Sequence, residues 1–272
     1  MIDITSSQAS RLIDLTTNNL QTYSKTKILT ITSGKGGVGK STITANIAFL
    51  LSQKGLKVAV LDADIGLANM QVLFDIRPQN SFFEYINGTK DLEEIILQTN
   101  YENISLIAGK SGYQYTSNKN SFVFSRVVKD LILLNRFDIL LVDTGAGLND
   151  YVKEFLSISD NILAVTTTDP SALTDVYSLM KMLSIDKSKL MLCFNHTKSY
   201  QIGETISNSL IKLGKKNKLK EEFMVEYVGN ISSSMNIPTT ARLRKLFAKE
   251  FSFDEITIQL QQILARVLVT IY

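Results

Sequence analysis

The segment Gly34-Lys35-Gly36-Gly37-Val38-Gly39-Lys40-Ser41 constrains this chain more than any other. Its glycines let the backbone take turns in which successive N–H groups point inward, making a concave nest for an anion. An apolar, β-branched run at 28–32 precedes it and a helical pattern at 42–54 follows. Strand, glycine-rich turn and helix start, in that order, fit G-x-x-x-x-G-K-[ST], where the positive end of the helix faces phosphate groups. The pattern assigns Lys40 to the β- and γ-phosphates of a nucleotide and the Ser41 hydroxyl to Mg²⁺, so ATP and Mg²⁺ are the expected ligands. Lys35, directly after the first glycine, is not required by it. This residue is either a solvated loop lysine or a second cation that neutralises charge developing in phosphoryl transfer.

The rest of the chain supplies the context such a loop needs. Short apolar runs at 28–32, 58–61, 104–107, 139–142, 162–165, 190–194 and 227–231 do not alternate with polar residues, as expected for strands buried on both faces. Longer helical patterns, such as 42–54 and 151–158, lie between them. This alternation predicts an α/β fold: a mostly parallel, doubly wound sheet with helices on both faces. Neither an internal repeat nor a low-complexity segment is present.

Acidic residues follow two of these runs. Asp62 and Asp64 sit just past 58–61, in Asp62-Ala63-Asp64-Ile65-Gly66-Leu67-Ala68-Asn69. Ligands bind beyond the carboxyl ends of strands in open α/β sheets, so either acid is placed to hold Mg²⁺ or to orient an attacking water. The competing role is helix capping by Asp64 or Asn69. Asp143 closes the run 139–142 and opens Asp143-Thr144-Gly145-Ala146-Gly147. An aspartate after an apolar strand is the Walker-B arrangement, and the glycines after it suit a switch that senses the γ-phosphate.

Composition removes several classes. At 272 residues with 44% hydrophobic and 20% charged residues, a sizeable core is expected rather than disorder. The formal net charge of +3 is too small to argue a nucleic-acid surface, and specific nucleic-acid binding is not expected. Cys193 is the one cysteine and lies in an apolar run, so it reads as core. An intrachain disulfide and a cysteine-ligated zinc or iron–sulfur site within one chain are excluded, which fits a reducing compartment. Residues 1–6 lack a basic region followed by an apolar one, so no signal peptide is expected. No apolar run approaches the ~18 residues of a spanning helix.

The segment from Lys35 to Thr42 resembles the deviant Walker A of the MinD/ParA ATPases, and the two acidic segments resemble that family's switches. Asp143-Thr144-Gly145-Ala146-Gly147-Leu148 and Thr167-Thr168-Asp169-Pro170-Ser171-Ala172-Leu173-Thr174-Asp175 resemble its flagellar branch, FlhG (also called FleN or YlxH). The similarity spans roughly residues 27–247. It implies a homodimer formed on ATP binding, in which Lys35 contacts the phosphates held by the partner. It further implies that Asp64 positions the attacking water, that Asp62 and Asp143 support Mg²⁺ through its water shell, and that Thr42 contacts the α-phosphate. Asn195 matches the family's adenine-contacting asparagine; a capping or turn role is the alternative. The expected activity is slow, partner-stimulated ATP hydrolysis that regulates flagellar number, placement and assembly, with the FlhF GTPase and the flagellar switch (C-ring) proteins as partners. Cytoplasmic localisation, with or without association at the inner membrane, goes with that reading.

The expected organisation is an N-terminal amphipathic extension (1–25), an ATPase domain (26–250) and a C-terminal helix (251–272). The extension contains Ser7-Gln8-Ala9-Ser10-Arg11-Leu12-Ile13, which matches the branch's Asp-Gln-Ala-x-x-Leu-Arg element at Gln8, Ala9 and Leu12 but lacks its acidic and basic ends. It is either a FlhF-activating element or a helix packed on the domain. The C-terminal stretch is apolar with Arg266 as its one basic residue between 251 and 272, and is either membrane-targeting or core-packing. The basic run 212–220 reads as a solvated face, with contact to anionic lipid or DNA as the alternative. A MinD-type division regulator and a ParA-type partition ATPase are the alternatives. The roughly 25 residues before the first strand speak against the former, and the small net charge against the latter.

Overall fold

Among the described residues, every internal strand buries both of its faces, which explains why the apolar runs do not alternate. Leu29 and Ile31, Val58 and Val60, Ile139 and Leu141, Leu163 and Val165, and Met191 and Cys193 belong to one hydrophobic cluster. Their neighbours Ile28, Ala59, Leu61, Leu140, Val142, Ile162, Ala164, Leu190 and Leu192 belong to two clusters on the opposite face. The period of two is present but invisible in sequence, because helices cover both sides.

The structure, a computed structural model, describes residues 25–65, 68–110, 123–217 and 219–272. The first half of the described chain runs β1 (Lys27–Ser33), α1 (Lys40–Ser52), β2 (Val58–Ala63), α2 (Met70–Leu73), α3 (Phe82–Ile86), α4 (Leu92–Ile95), β3 (Ile96–Gln98) and β4 (Ile104–Ile107). It continues through α5 (Val123–Leu133), β5 (Ile139–Ala146), α6 (Asp150–Ser157), β6 (Ile162–Thr166), α7 (Pro170–Asp186) and β7 (Lys189–Asn195). The last elements are α8 (Tyr200–Lys216), β8 (Met224–Ile231), α9 (Asn236–Arg242), α10 (Phe247–Glu250) and α11 (Glu255–Ile271). The eight strands form one sheet in the order β3-β4-β2-β5-β1-β6-β7-β8. All neighbours are parallel except β3, which pairs antiparallel with β4 at the edge.

The fold is thus the expected mostly parallel α/β sheet, with β3 as the strand that the apolar pattern does not reveal. It has three residues, Ile96 to Gln98, and follows α4 with no intervening turn, so its two apolar residues do not stand out as a separate run. The N-terminal extension and most of the glycine- and asparagine-rich stretch 109–121 lie outside the described residues.

Helix α1 lies under the middle of the sheet and is buried on most sides, so it does not have the one-sided pattern of a surface helix. Its polar Asn46 is buried and satisfied: the amide donates to the Thr42 carbonyl at 2.8 Å and accepts from the Ala248 N–H at 2.8 Å, tying α1 to α10. Helix α11 begins at a capped end, where Asp254 Oδ1 accepts from the Ile256 N–H at 2.9 Å. Ile256, Leu260, Ile263, Leu264, Val267 and Ile271 form its buried face and join the α1 side of the core. Arg266 donates to the Val228 carbonyl at 2.8 Å, fastening the helix to edge strand β8. Among the described residues, no helix is long and apolar enough to cross a membrane.

This packing sets a mutational contrast along α11. Leu264 is fully buried, whereas Val269 is 83% exposed. Leu264→Ala is expected to lower unfolding free energy by about 3 kcal/mol through lost burial and a residual cavity. Val269→Ala is expected to stay within about 0.5 kcal/mol. Denaturant titration measures both; equal midpoints would mean that α11 does not pack on the sheet as described.

Candidate functional site

The glycine-rich segment joins β1 to α1 across the carboxyl end of the central strands. Gly37 and Gly39 take φ of +77° and +89°, the left-handed region that glycine enters without steric cost. Gly39 carries a second constraint: a Cβ there would lie 2.3 Å from Asn195 Nδ2. Asn195, at the end of β7, donates that Nδ2 to the Val38 carbonyl at 2.8 Å, and its Oδ1 accepts from the His196 N–H at 2.9 Å. The end of β7 therefore holds the loop from beneath.

Lys40, first residue of α1, is buried, and its ammonium donates to Asp143 Oδ1 at 3.0 Å. Thr44, one turn further along α1, donates its hydroxyl to the same oxygen at 3.0 Å. Asp143 Oδ2 is buried without a hydrogen-bond partner, as is Ser33 Oγ at the end of β1. Asp62 and Asp143 are direct partners in the β2–β5 register. The Asp62 carboxylate accepts from the Met70 N–H at 3.0 Å and the Asp64 N–H at 3.3 Å. Burial first, and the neighbouring Asp143 charge second, push its pKa up to about 7 despite those two donors. Two buried acids thus share one buried lysine.

A cavity of about 600 Å³ opens over these groups. The loop from Gly36 to Thr42 lines one side; Asp64, Ala146 and Tyr151 line another, and Val72 and Ala241 stand at its rim. Another cleft, of about 530 Å³ beside Phe49 and Tyr101, lies at the far end of α1, away from the loop. Ser41, Asp62 and Asp143 offer only oxygen, and Asp143 keeps an unpartnered carboxylate oxygen. That donor set suits a hard divalent cation that retains much of its water shell.

The loop residues, Lys40, Ser41, Thr42 and Asp64 meet at this cavity, with Asp62 and Asp143 beneath it. Asn195 touches the loop backbone. Lys35 does not line the cavity. Its ammonium lies on the start of α7, 2.7 Å from Ser171 Oγ and 3.2 Å from Asp169 Oδ2. Thr44, Ser33 and Tyr151 were not among the residues expected here. Thr44 had a signal, since position i+4 from Lys40 shares its helix face. Ser33 had one too, since it directly precedes Gly34; Tyr151 had none, because only the fold brings it near. Cys193 is fully buried, and burial raises its thiol pKa to about 12.

A family profile named ParA and described as an NUBPL iron-transfer P-loop NTPase matches residues 24–268. The chain belongs to the ParA/MinD family of P-loop NTPases. It is 37% identical over 264 residues to the flagellum site-determining protein YlxH of Helicobacter pylori, a match covering 94% of this chain and 88% of that protein. It is 27% identical to the antiactivator FleN of Pseudomonas aeruginosa, covering 89% of this chain and 86% of that protein. Among solved structures, it matches the septum site-determining protein MinD of Pyrococcus horikoshii, described as complexed with Mg-ADP. That match has a TM-score of 0.73 and 22% identity, and covers 89% of this chain and 96% of the other, which shows the shared fold. The iron-transfer part of the profile's description does not fit a chain with one cysteine, buried as this one is.

The Asp62 shift has a sign that pH can test in this P-loop protein. A carboxyl group whose folded pKa exceeds its ordinary value near 3.8 holds its proton more tightly when folded. Its contribution to stability is full below about pH 4 and is lost as pH rises through about 7. Asp62→Asn is expected to remove that part of the profile in protein free of nucleotide and divalent cation. The amide adds a constant cost, because its NH₂ faces a backbone donor. Unfolding free energies from pH 4 to 8 should diverge between the two proteins below pH 7; parallel curves would remove the assignment.

Proposed function

We propose that this protein is an ATP-dependent dimerising switch, a slow Mg²⁺-dependent ATPase that regulates flagellar number, placement and assembly. The observation that carries the switch is the position of Lys35. It lies beside a loop built for phosphates yet points away from that loop's own cavity, held by Asp169 and Ser171. A lysine so placed is available to a second copy of the chain. The flagellar role rests on the similarity to YlxH and FleN across most of the chain.

In the reaction we envisage, the backbone N–H groups from Gly36 to Gly39 receive the phosphates. Lys40 leaves Asp143 for the β- and γ-phosphates, and Thr42 contacts the α-phosphate. Ser41, with Asp62 and Asp143 behind it, would hold Mg²⁺, which would supply neutralisation of charge on the phosphates. Asp64 accepts a proton from the attacking water. The water oxygen bonds to the γ-phosphorus as the bond to the β–γ bridging oxygen breaks. ADP leaves with that electron pair, and the proton passes from Asp64 to the phosphate. Asn195, next to the loop, is assigned to the adenine side. Lys35 of one copy reaches the phosphates of the other and completes the neutralisation.

The partners consistent with this role are FlhF and the flagellar switch proteins, with residues 1–25 as the segment that would act on FlhF. We read α11 as a core-packing helix, because its apolar face is occupied by the sheet. Binding to a membrane surface through that face would require the helix to leave the core.

The Lys35–Asp169 pair is 41% and 57% exposed. A pair so open to solvent stabilises by under about 1 kcal/mol, enough to bias Lys35 and easily exchanged for phosphate contacts. Asp169 makes no side-chain cap to α7, so replacing it spares the helix. Asp169→Ala is expected to lower the ATP concentration for dimerisation about two- to fivefold, and Lys35→Ala to abolish ATP-dependent dimerisation. Sedimentation velocity with ATP decides this; a Lys35→Ala protein that dimerised and hydrolysed ATP normally would refute the cross-subunit role. Lys40→Ala should lose ATP binding, and Asp64→Ala should bind ATP and dimerise without hydrolysing it. Pull-down with FlhF and the flagellar switch proteins, with and without ATP, tests the flagellar role. Binding to neither in either state would count against it.

A further inference from the structure

Tyr151 enters the nucleotide cavity from an element that the phosphate-loop pattern does not include. It is the second residue of α6, whose start is fixed by Asn149: the Asn149 Oδ1 accepts from the Val152 N–H at 3.0 Å. The Tyr151 ring packs, partly buried, against the hydrophobic clusters on both sides of α6. Ring packing and a capped helix end together give the hydroxyl one direction, toward the cavity that Gly36, Lys40, Asp64 and Ala146 also line.

Gly145 shows what that hydroxyl faces. A Cβ built on Gly145 would lie 3.1 Å from Tyr151 Oη, 3.3 Å from its Cε2 and 3.6 Å from Asp64 Oδ1. The phenol and the carboxylate therefore converge above a residue that has no side chain. Any larger residue at 145 would fill the gap between them. The Tyr151 side chain has no hydrogen bond to the other described residues, so its donor and its acceptor are both available to a ligand or a water.

We propose that Tyr151 is a water-positioning residue of the hydrolysis site, acting together with Asp64. This rests on the ATPase reading above. An attacking water must direct one lone pair at phosphorus, which requires both of its O–H groups to be held elsewhere. Asp64 accepts one. The phenolic oxygen accepts the other. An acid alone leaves the water free to rotate about a single hydrogen bond; two acceptors from different elements fix it. Asp64 follows β2 and Tyr151 follows β5, so the pair is correct only when the segment around Gly145 has the right conformation. The water site thus depends on the same segment that is expected to sense the γ-phosphate.

The test is steady-state ATP hydrolysis by the full-length protein with Mg²⁺, at protein concentrations that saturate the rate. Tyr151→Phe keeps the ring and its packing and removes only the oxygen. It is expected to lower kcat about tenfold, the effect of one hydrogen bond in the transition state, with KM for ATP, ATP-dependent dimerisation and Tm unchanged. Gly145→Ala, which fills the gap while sparing both oxygens, should also lower kcat. A Tyr151→Phe protein with native kcat would overturn the proposal. So would a raised KM at unchanged kcat, which would make Tyr151 a nucleotide contact. No hydrolysis by the wild-type protein at any concentration would instead sink the underlying ATPase reading.

Discussion

The contact between Lys40 and Asp143 joins the first residue of α1 to the end of β5, and the site is arranged around it. Both side chains are buried, so the attraction acts in a medium of low dielectric and is stronger than at the surface. Desolvation opposes it by a similar amount, so the pair is a poor device for stability. Its effect is positional. Lys40 is held at the mouth of the phosphate loop, and Asp143 is held beside Asp62. With one lysine for two acids, the charge balance remains short of positive charge. The unpartnered Asp143 Oδ2 is one sign of that shortfall, and the Asp143 charge adds to burial, the larger cause, in raising the Asp62 pKa. A divalent cation bound with a nucleotide is the kind of ligand that would correct it.

The sheet order explains why these groups meet. β1, β2 and β5 are consecutive in the middle of the sheet and all parallel, so their carboxyl ends open on one side. One strand leads into the phosphate loop, one into Asp62 and Asp64, and one into Asp143 and Gly145. β6 and β7 extend the same edge and deliver Asp169, Ser171 and Asn195. The central strands are buried on both faces by helices, and the candidate site lies at their carboxyl ends and in the loops beyond them.

Lys35 and Lys40, five positions apart, illustrate how neighbours diverge in role. Lys40 sits on the helix and is buried under the loop. Lys35 sits on the loop and is more than a third exposed, turned onto α7. The first is fixed by its buried contact with Asp143. The second is held by a contact weak enough to exchange.

Local chemistry alone determined the phosphate loop, its flanking strand and helix, and the acids after β2 and β5, because each of these is written in a few consecutive residues. Seven of the eight strands were legible as apolar runs, since burial on both faces demands such runs; β3 was not, because an antiparallel edge of three residues has no such demand. Thr44 was within reach through helical spacing. Only the tertiary structure decided that Lys35 rests on Asp169 and Ser171, that Asn195 holds the loop at Val38, and that Tyr151 faces Asp64 over Gly145. These contacts join residues that the sheet brings together from distant parts of the chain, and no local pattern carries that information. It also decided the position of α11: an apolar helix reads the same whether its face meets lipid or a sheet, and here the sheet occupies it.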